Sequence, residues 1–227
     1  FFFKQKTAYE IKECDWSSDV CSSDLAAVTE PLACVLNSQQ ILQITKGDVV
    51  LVMGSGPIGC LHVRVARALG AAKVFLADIN GGRVKLAADV VKPDATIDMS
   101  TQDLATELKK LTDGRGPNII ITAAPSGKAQ EDAISLVSAG GKVSFFGGLP
   151  KENPFIKCDS NIVHYKEVTL YGANGSSPAQ NQQALNMIAS GEVKVSDLIT
   201  HRVKLENVQS AIDAVLSGQA IKVVINP

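Results

Sequence analysis

The chain has 227 residues, a formal net charge of −1, and 45% hydrophobic against 20% charged residues. This is the composition of one globular domain with additions; it excludes a disordered chain, a basic footprint for nucleic acid and an acidic tail. No apolar run of about 18 residues suggests a membrane span, and five cysteines without a CxxC pair make neither a disulfide framework nor a closed zinc site, so a reducing, cytoplasmic setting is expected.

Residues 1–25, FFFKQKTAYEIKECDWSSDVCSSDL, stand apart from the rest of the chain. Phe1, Phe2, Phe3, Tyr9 and Trp16 put nearly half of the chain's aromatic residues there, and no helical or strand period runs through them. The segment lacks the basic start, apolar run and small-residue cleavage site of a signal peptide.

Asp48–Met53 is a short apolar run that suits a strand buried on both faces. Gly54-Ser55-Gly56-Pro57-Ile58-Gly59 comes directly after it. Ile58, Leu61, Val65, Ala66 and Leu69 then recur at helical spacing, closed by Gly70. Strands are expected at Lys73–Ala77, Ala95–Asp98, Pro117–Thr122, Lys142–Phe146 and Glu167–Tyr171, and helices at Gly82–Val90, Thr101–Leu111 and Ala129–Ser138. Strands alternating with helices of this length imply parallel pairing through right-handed crossovers. The fold class expected is α/β, a doubly wound six-stranded parallel sheet of the Rossmann kind.

The glycine turn has the context that gives GxGxxG meaning: a strand before, a helix after, and Asp78 at the end of the next strand, nineteen residues past Gly59. Gly54 permits the tight turn, Gly56 lets a pyrophosphate approach the backbone, and Gly59 lets helix and strand pack closely. The amides opening the helix at Pro57 and Ile58 suit a diphosphate. Asp78 would accept from the adenosine ribose and repel a 2′-phosphate, favouring NAD, although Arg83 nearby could accommodate one. Ala123, after the fourth strand, and Phe146-Gly147-Gly148, after the fifth, lie where open α/β sheets bind ligands. His62, His164 and His201 lack metal-ligand spacing; His62 is expected within a helix and the other two in connecting segments. Cys34, Cys60 and Cys158 are expected as buried thiols.

After the leader, the chain resembles the C-terminal part of a zinc-dependent medium-chain alcohol dehydrogenase, particularly the sorbitol (L-iditol, polyol) branch. The matching stretches are AAVTEPLACVLN at 26–37, GDVVLVMGSGPIGC at 47–60, FLADINGGRVKLA at 75–87, GGKVSFFGG at 140–148 and LITHRVKLENVQSAIDAV at 198–215. Residues 1–25 themselves resemble translated sequencing-adapter DNA joined to a truncated gene, a non-native leader. The resemblance implies a connecting helix over 26–45, an NAD-binding domain over 46–171, and over 172–227 a return to a GroES-like catalytic lobe that is otherwise missing. It implies NAD and, in the full-length parent, zinc. Glu30 would lie at that zinc only with the missing lobe present, and no catalytic residue is retained. Ala173, Asn174 and Gly175 would face nicotinamide, but Gly175 and Ser176 stand where sorbitol dehydrogenases tend to carry an arginine, which argues against sorbitol itself. The implied function is hydride transfer from a secondary alcohol or polyol to NAD by a homo-oligomeric parent without nucleic-acid or membrane partners, this fragment being inactive alone. Two alternatives remain: a noncatalytic NAD(H)-sensing module and a zinc-free quinone-reductase-type relative.

Ser177-Pro178 reads as a capped helix start with an apolar stripe after it at Leu185, Ile188 and Ala189. Val208, Ala211, Ile212 and Val215 form another stripe, and Ile221–Ile225 a closing strand.

Overall fold

A computed structural model of the protein describes residues 23–226. All but the last three residues of the expected leader lie outside them. Helices α1 (Ser23–Ala26) and α2 (Thr29–Leu42) lead into β1 (Val49–Met53), α3 (Pro57–Ala68), β2 (Lys73–Asp78), α4 (Gly81–Val91) and β3 (Ala95–Asp98). Then come α5 (Leu104–Leu111), β4 (Ile119–Thr122), α6 (Gly127–Leu136), β5 (Lys142–Phe145), α7 (Ser160–Tyr165) and β6 (Thr169–Gly172). The chain ends with α8 (Pro178–Ala189), β7 (Ile199–Lys204), a short 3-10 turn, α9 (Val208–Leu216) and β8 (Lys222–Asn226).

Strands β1 to β6 form one parallel sheet in the order β3-β2-β1-β4-β5-β6. The order reverses between β1 and β4, which is the switch point of a doubly wound sheet. Side-chain alternation divides the core between the two faces. Val50, Val52, Val74, Leu76, Ile119 and Ile121 share one cluster with α2 and α3, while Leu51, Met53, Phe75, Ala77 and Ile120 share the other with α5 and α6. Both faces are covered, so these strands read as unbroken apolar runs.

A polar tie fixes the strand starts. Asn118 Nδ2 donates to Asp48 Oδ1 at 2.6 Å, Val49 N–H donates to Asn118 Oδ1 at 2.6 Å, and Ala72 N–H donates to the Asp48 carbonyl at 2.8 Å. These bonds join the entrances of β1, β2 and β4.

The second sheet holds β7 and β8 alone, paired in parallel. Helix α9 packs on it through Ala211, but Val208, Ile212, Val215 and Leu216 are exposed, Leu216 to 76%. Only one residue of that expected stripe faces a core. In α8 the buried residues are Ala184, Met187 and Ile188, so the stripe lies slightly round from Leu185 and Ala189.

Local chemistry moves several boundaries. Asp103 caps α5 by accepting from Thr106 N–H at 2.8 Å, so the helix starts at Leu104 and not at Thr101. Ser126 caps α6, which therefore begins at Gly127. Glu167 has φ of +53° and forms a turn, delaying β6 to Thr169. His164 and His201 are not in connecting segments: they lie in α7 and β7. Of the three described cysteines only Cys60 is buried; Cys34 is half-buried and Cys158 exposed. Among the described residues no helix is long and apolar enough to cross a membrane.

Candidate functional site

The glycine turn leaves β1 at its C-terminal end beside the switch point. Gly54 has φ of +115° and its N–H donates to the Ala77 carbonyl at 2.7 Å, bending the chain over the end of β2. A β-carbon at Gly54 would stand 2.9 Å from the Ala123 carbonyl oxygen, and one at Gly59 would stand 1.8 Å from that of Gly54. The turn, the start of α3 and the end of β4 are thus pressed together. Gly56 differs: a β-carbon there would meet nothing within 4 Å. Its exposed side is where a ligand could lie against the backbone.

Helix α3 opens with Pro57 at its first position and carries no side-chain cap. The first-turn amides of Ile58 and Gly59 have no partner inside the helix and point from its positive end. Asp78, at the end of β2, reaches the same turn. Its Oδ2 accepts from Ser55 N–H at 2.6 Å and from Ser55 Oγ at 2.8 Å, and its Oδ1 accepts from Asn80 N–H at 3.0 Å. The carboxylate therefore stands fixed beside the turn. Arg83 donates its backbone N–H to Asn80 Oδ1 in the α4 cap, and its guanidinium lies against Gly218 of the turn before β8.

Two cavities flank the turn. One of about 280 Å³ includes Met53, Gly54, Asp78, Ile79 and Ala124 in its wall. The other, about 320 Å³, is lined by Glu30, Pro31, Cys34, Ile58, Phe146, Ala173, Asn174 and Gly175. Between them they take in Glu30, Gly54, Ile58, Asp78, Phe146, Ala173, Asn174 and Gly175 of the sequence-derived candidates, whereas Gly56, Pro57, Gly59, Arg83, Ala123, Gly147 and Gly148 line neither. A larger hollow of about 540 Å³ around Asp113, Arg115 and Asn118 lies at the opposite edge of the sheet. Ligands of open α/β sheets bind at the carboxyl ends of the strands, so position outweighs size.

The loop after β5 is held firmly. Gly147 N–H donates to the Thr122 carbonyl at 2.8 Å, and its own carbonyl accepts from Gln130 Nε2 at 3.0 Å. A β-carbon at Gly147 would stand 2.5 Å from the Ala124 carbonyl oxygen. Gly148 is exposed, and Phe146 meets the His62 ring edge-on at 4.6 Å. His62 is fully buried; Gln39 Nε2 donates to its carbonyl at 2.8 Å and sits 3.1 Å from its Nδ1. Burial pushes the imidazole down to about 3, so it stays neutral. Asn37 Nδ2 donates to the Gly175 carbonyl at 3.1 Å, and Gln180 Nε2 donates to Asn37 Oδ1 at 3.0 Å, which anchors the 173–175 stretch on α2.

Ser55, Asn37, Gln130 and Gln180 escaped the sequence reading. Ser55 had a signal, since it sits between the first two glycines next to an expected carboxylate. Gln180 is the third residue of a capping box with Ser177. Asn37 and Gln130 act across 138 and 17 positions of chain, with no local pattern to mark them.

The open backbone at Gly56 and the fixed carboxylate of Asp78 fit a dinucleotide. Zinc does not fit the residues present. Glu30 is exposed and accepts from Cys34 Sγ at 3.2 Å. Burial first, and then the bond to Glu30, hold the Cys34 thiol above its ordinary range. A catalytic zinc takes three protein ligands, and among the described residues no group of three His, Cys, Asp or Glu could hold a metal ion.

The family model described as zinc-binding dehydrogenase matches residues 57–190. Over 203 residues the chain is 32% identical to the sorbitol dehydrogenase of Halalkalibacterium halodurans, covering 89% of this chain and 58% of that protein. The alcohol dehydrogenase TADH from Thermus sp. ATN1 superposes with a TM-score of 0.85 at 22% identity, over 92% of this chain and 60% of the other. A zinc-binding dehydrogenase from Sinorhizobium meliloti 1021 bound to NADP gives 0.80 at 27% identity, over 88% and 58%. The chain thus spans a little under three fifths of the length of the curated relative.

Proposed function

The chain belongs to the zinc-binding dehydrogenase family, and from that membership we propose that it is the coenzyme-binding part of an NAD-dependent alcohol or polyol dehydrogenase. The reading divides it as the sequence suggests: a connecting helix over 26–45, the dinucleotide domain over 46–171, and a returning segment over 172–227. The observation that carries it is the Asp78 carboxylate, bonded to the glycine turn at Ser55 while Gly56 leaves the backbone open beside it.

On this reading the amides of Ile58 and Gly59 donate to the two phosphates from the positive end of α3. Asp78 accepts from the adenosine ribose, with Arg83 near the adenine end. Gly54, Pro57 and Ala123 shape the turn and its neighbour strand. Phe146, Gly147 and Gly148, with Ala173, Asn174 and Gly175, surround the nicotinamide half next to Ile58. The bound cofactor supplies a hydride acceptor. Small residues at 147, 148, 173 and 175 leave that half room, and the firm bonds of Gly147 and Gly175 keep the walls in place. Glu30 alone cannot hold a metal; in the full-length parent it would join ligands from the missing lobe.

The test is titration of the chain with NADH, read by nicotinamide fluorescence, together with an assay for reduced cofactor on a panel of secondary alcohols and polyols with NAD and zinc. Saturable NADH binding without turnover is the expected result. Absence of NADH binding refutes the dinucleotide reading, and brisk turnover refutes the claim that the missing lobe is needed.

A further inference from the structure

We propose that Ser55 is a positioning residue that sets how strongly the site prefers a ribose 2′-hydroxyl to a 2′-phosphate. The proposal rests on the dinucleotide reading above and adds to it a group that acts through Asp78.

Ser55 is fully buried in the glycine turn. Its N–H and its hydroxyl both donate to one oxygen of Asp78, Oδ2, at 2.6 and 2.8 Å. The other oxygen already accepts from Asn80 N–H at 3.0 Å. A carboxylate offers roughly four acceptor directions. Three are taken, so the remaining one lies on Oδ1, and the ribose meets a carboxylate with one preset direction to fill.

The same geometry resists a 2′-phosphate. A phosphate at that hydroxyl is admitted only if the Asp78 charge swings aside, and swinging it breaks both bonds to Ser55. Hydrogen bonds to a charged acceptor are the strong ones. The backbone bond comes with the turn whatever residue stands there; the hydroxyl bond depends on serine. Ser55 thus converts a carboxylate that could rotate into one that is pinned.

The experiment measures NADH and NADPH affinities of the chain and of Ser55→Ala, Ser55→Cys, Asp78→Asn and the Ser55→Ala/Asp78→Asn double variant. Loss of one charge-assisted bond predicts that Ser55→Ala lowers the NADH-to-NADPH affinity ratio about tenfold. Ser55→Cys, close in volume but a poor donor, should match Ser55→Ala. With Asp78→Asn already in place, Ser55→Ala should change the ratio by less than about twofold, since no charge is left to pin. The proposal falls if Ser55→Ala keeps the parent ratio while Asp78→Asn loses it, or if Ser55→Cys restores the ratio, which would make volume the cause. If NADH binds but Asp78→Asn leaves the ratio unchanged, the proposal falls while the dinucleotide reading stands. Failure of the parent chain to bind either dinucleotide removes the dinucleotide reading, and this one with it.

Discussion

Alanine at Gly56 and alanine at Gly59 should have opposite consequences, although the two glycines lie three residues apart. At Gly59 the new β-carbon would stand 1.8 Å from the Gly54 carbonyl oxygen and 2.9 Å from its carbon, both backbone atoms. The start of α3 must move by more than an ångström from the turn, and overpacking of this severity costs about 3 kcal/mol. For a chain of this size that lowers Tm by roughly 6–12 °C. At Gly56 the backbone has φ −69° and ψ −176°, which alanine adopts without strain, and nothing lies within 4 Å of the added carbon. There the substitution restricts the unfolded chain, worth about 0.4–1 kcal/mol, but puts a poorer residue at the N-cap of α3, so the two offset and Tm should move by no more than about 2–4 °C. The methyl group nevertheless occupies the space where the phosphates would meet the backbone, so NADH affinity should fall at least about tenfold. Calorimetric melting and NADH titration on the two variants separate these effects. If Gly56→Ala binds NADH like the parent, the phosphates do not lie at this turn. If Gly59→Ala melts with the parent, the close packing of turn and helix is not what fixes the site.

Other perturbations have equally definite expectations. His62 is neutral in the fold, at about 3, and titrates near 6.5 when unfolded, so its contribution is complete above pH 6.5 and is lost as the pH falls towards 3. Urea midpoints should correspond to a loss of about 2 kcal/mol between pH 6.5 and 5, and His62→Phe should flatten that slope while Gln39 keeps its bond to the backbone carbonyl of residue 62. Ser177 and Gln180 cap α8 reciprocally, so Ser177→Ala should cost about 1 kcal/mol, read as a Tm drop of roughly 2–4 °C. The apolar side chains of α9 lie open, which predicts binding of hydrophobic dyes and self-association. Ile212→Ser with Leu216→Ser should reduce both by light scattering and dye fluorescence, with Tm changed by no more than about 2 °C.

The central strands β1, β2 and β4 were legible because they are buried on both faces and almost wholly apolar, and the first crossover helix because Gly70 closes it. The glycine turn and Asp78 were legible for a different reason: their spacing is dictated by one βαβ unit. Strand β7, ITHRVK, was not read as a strand because most of it faces solvent and only Ile199 is buried. Helix α7 has six residues and no buried one, so it leaves no periodic trace. Cys158 looked apolar in context, but it comes after an exposed loop, and a small side chain says little about burial. The Ser55 bond to Asp78 is a contact between two strand ends, and local pattern cannot express which rotamer a side chain takes there.

The tie among Asp48, Val49 and Asn118 has an effect at a distance. It sits at the foot of β1, whereas the glycine turn sits at the head, five residues or about 17 Å along. A strand buried on both faces cannot slide by one position without exchanging its two sets of side chains. The amide of Asn118 therefore acts as a datum for the whole blade: it decides how far β1 projects past β4, and so the height at which the turn overhangs the switch point. An alteration at this remote corner would be felt as a displaced glycine turn at the far end of β1.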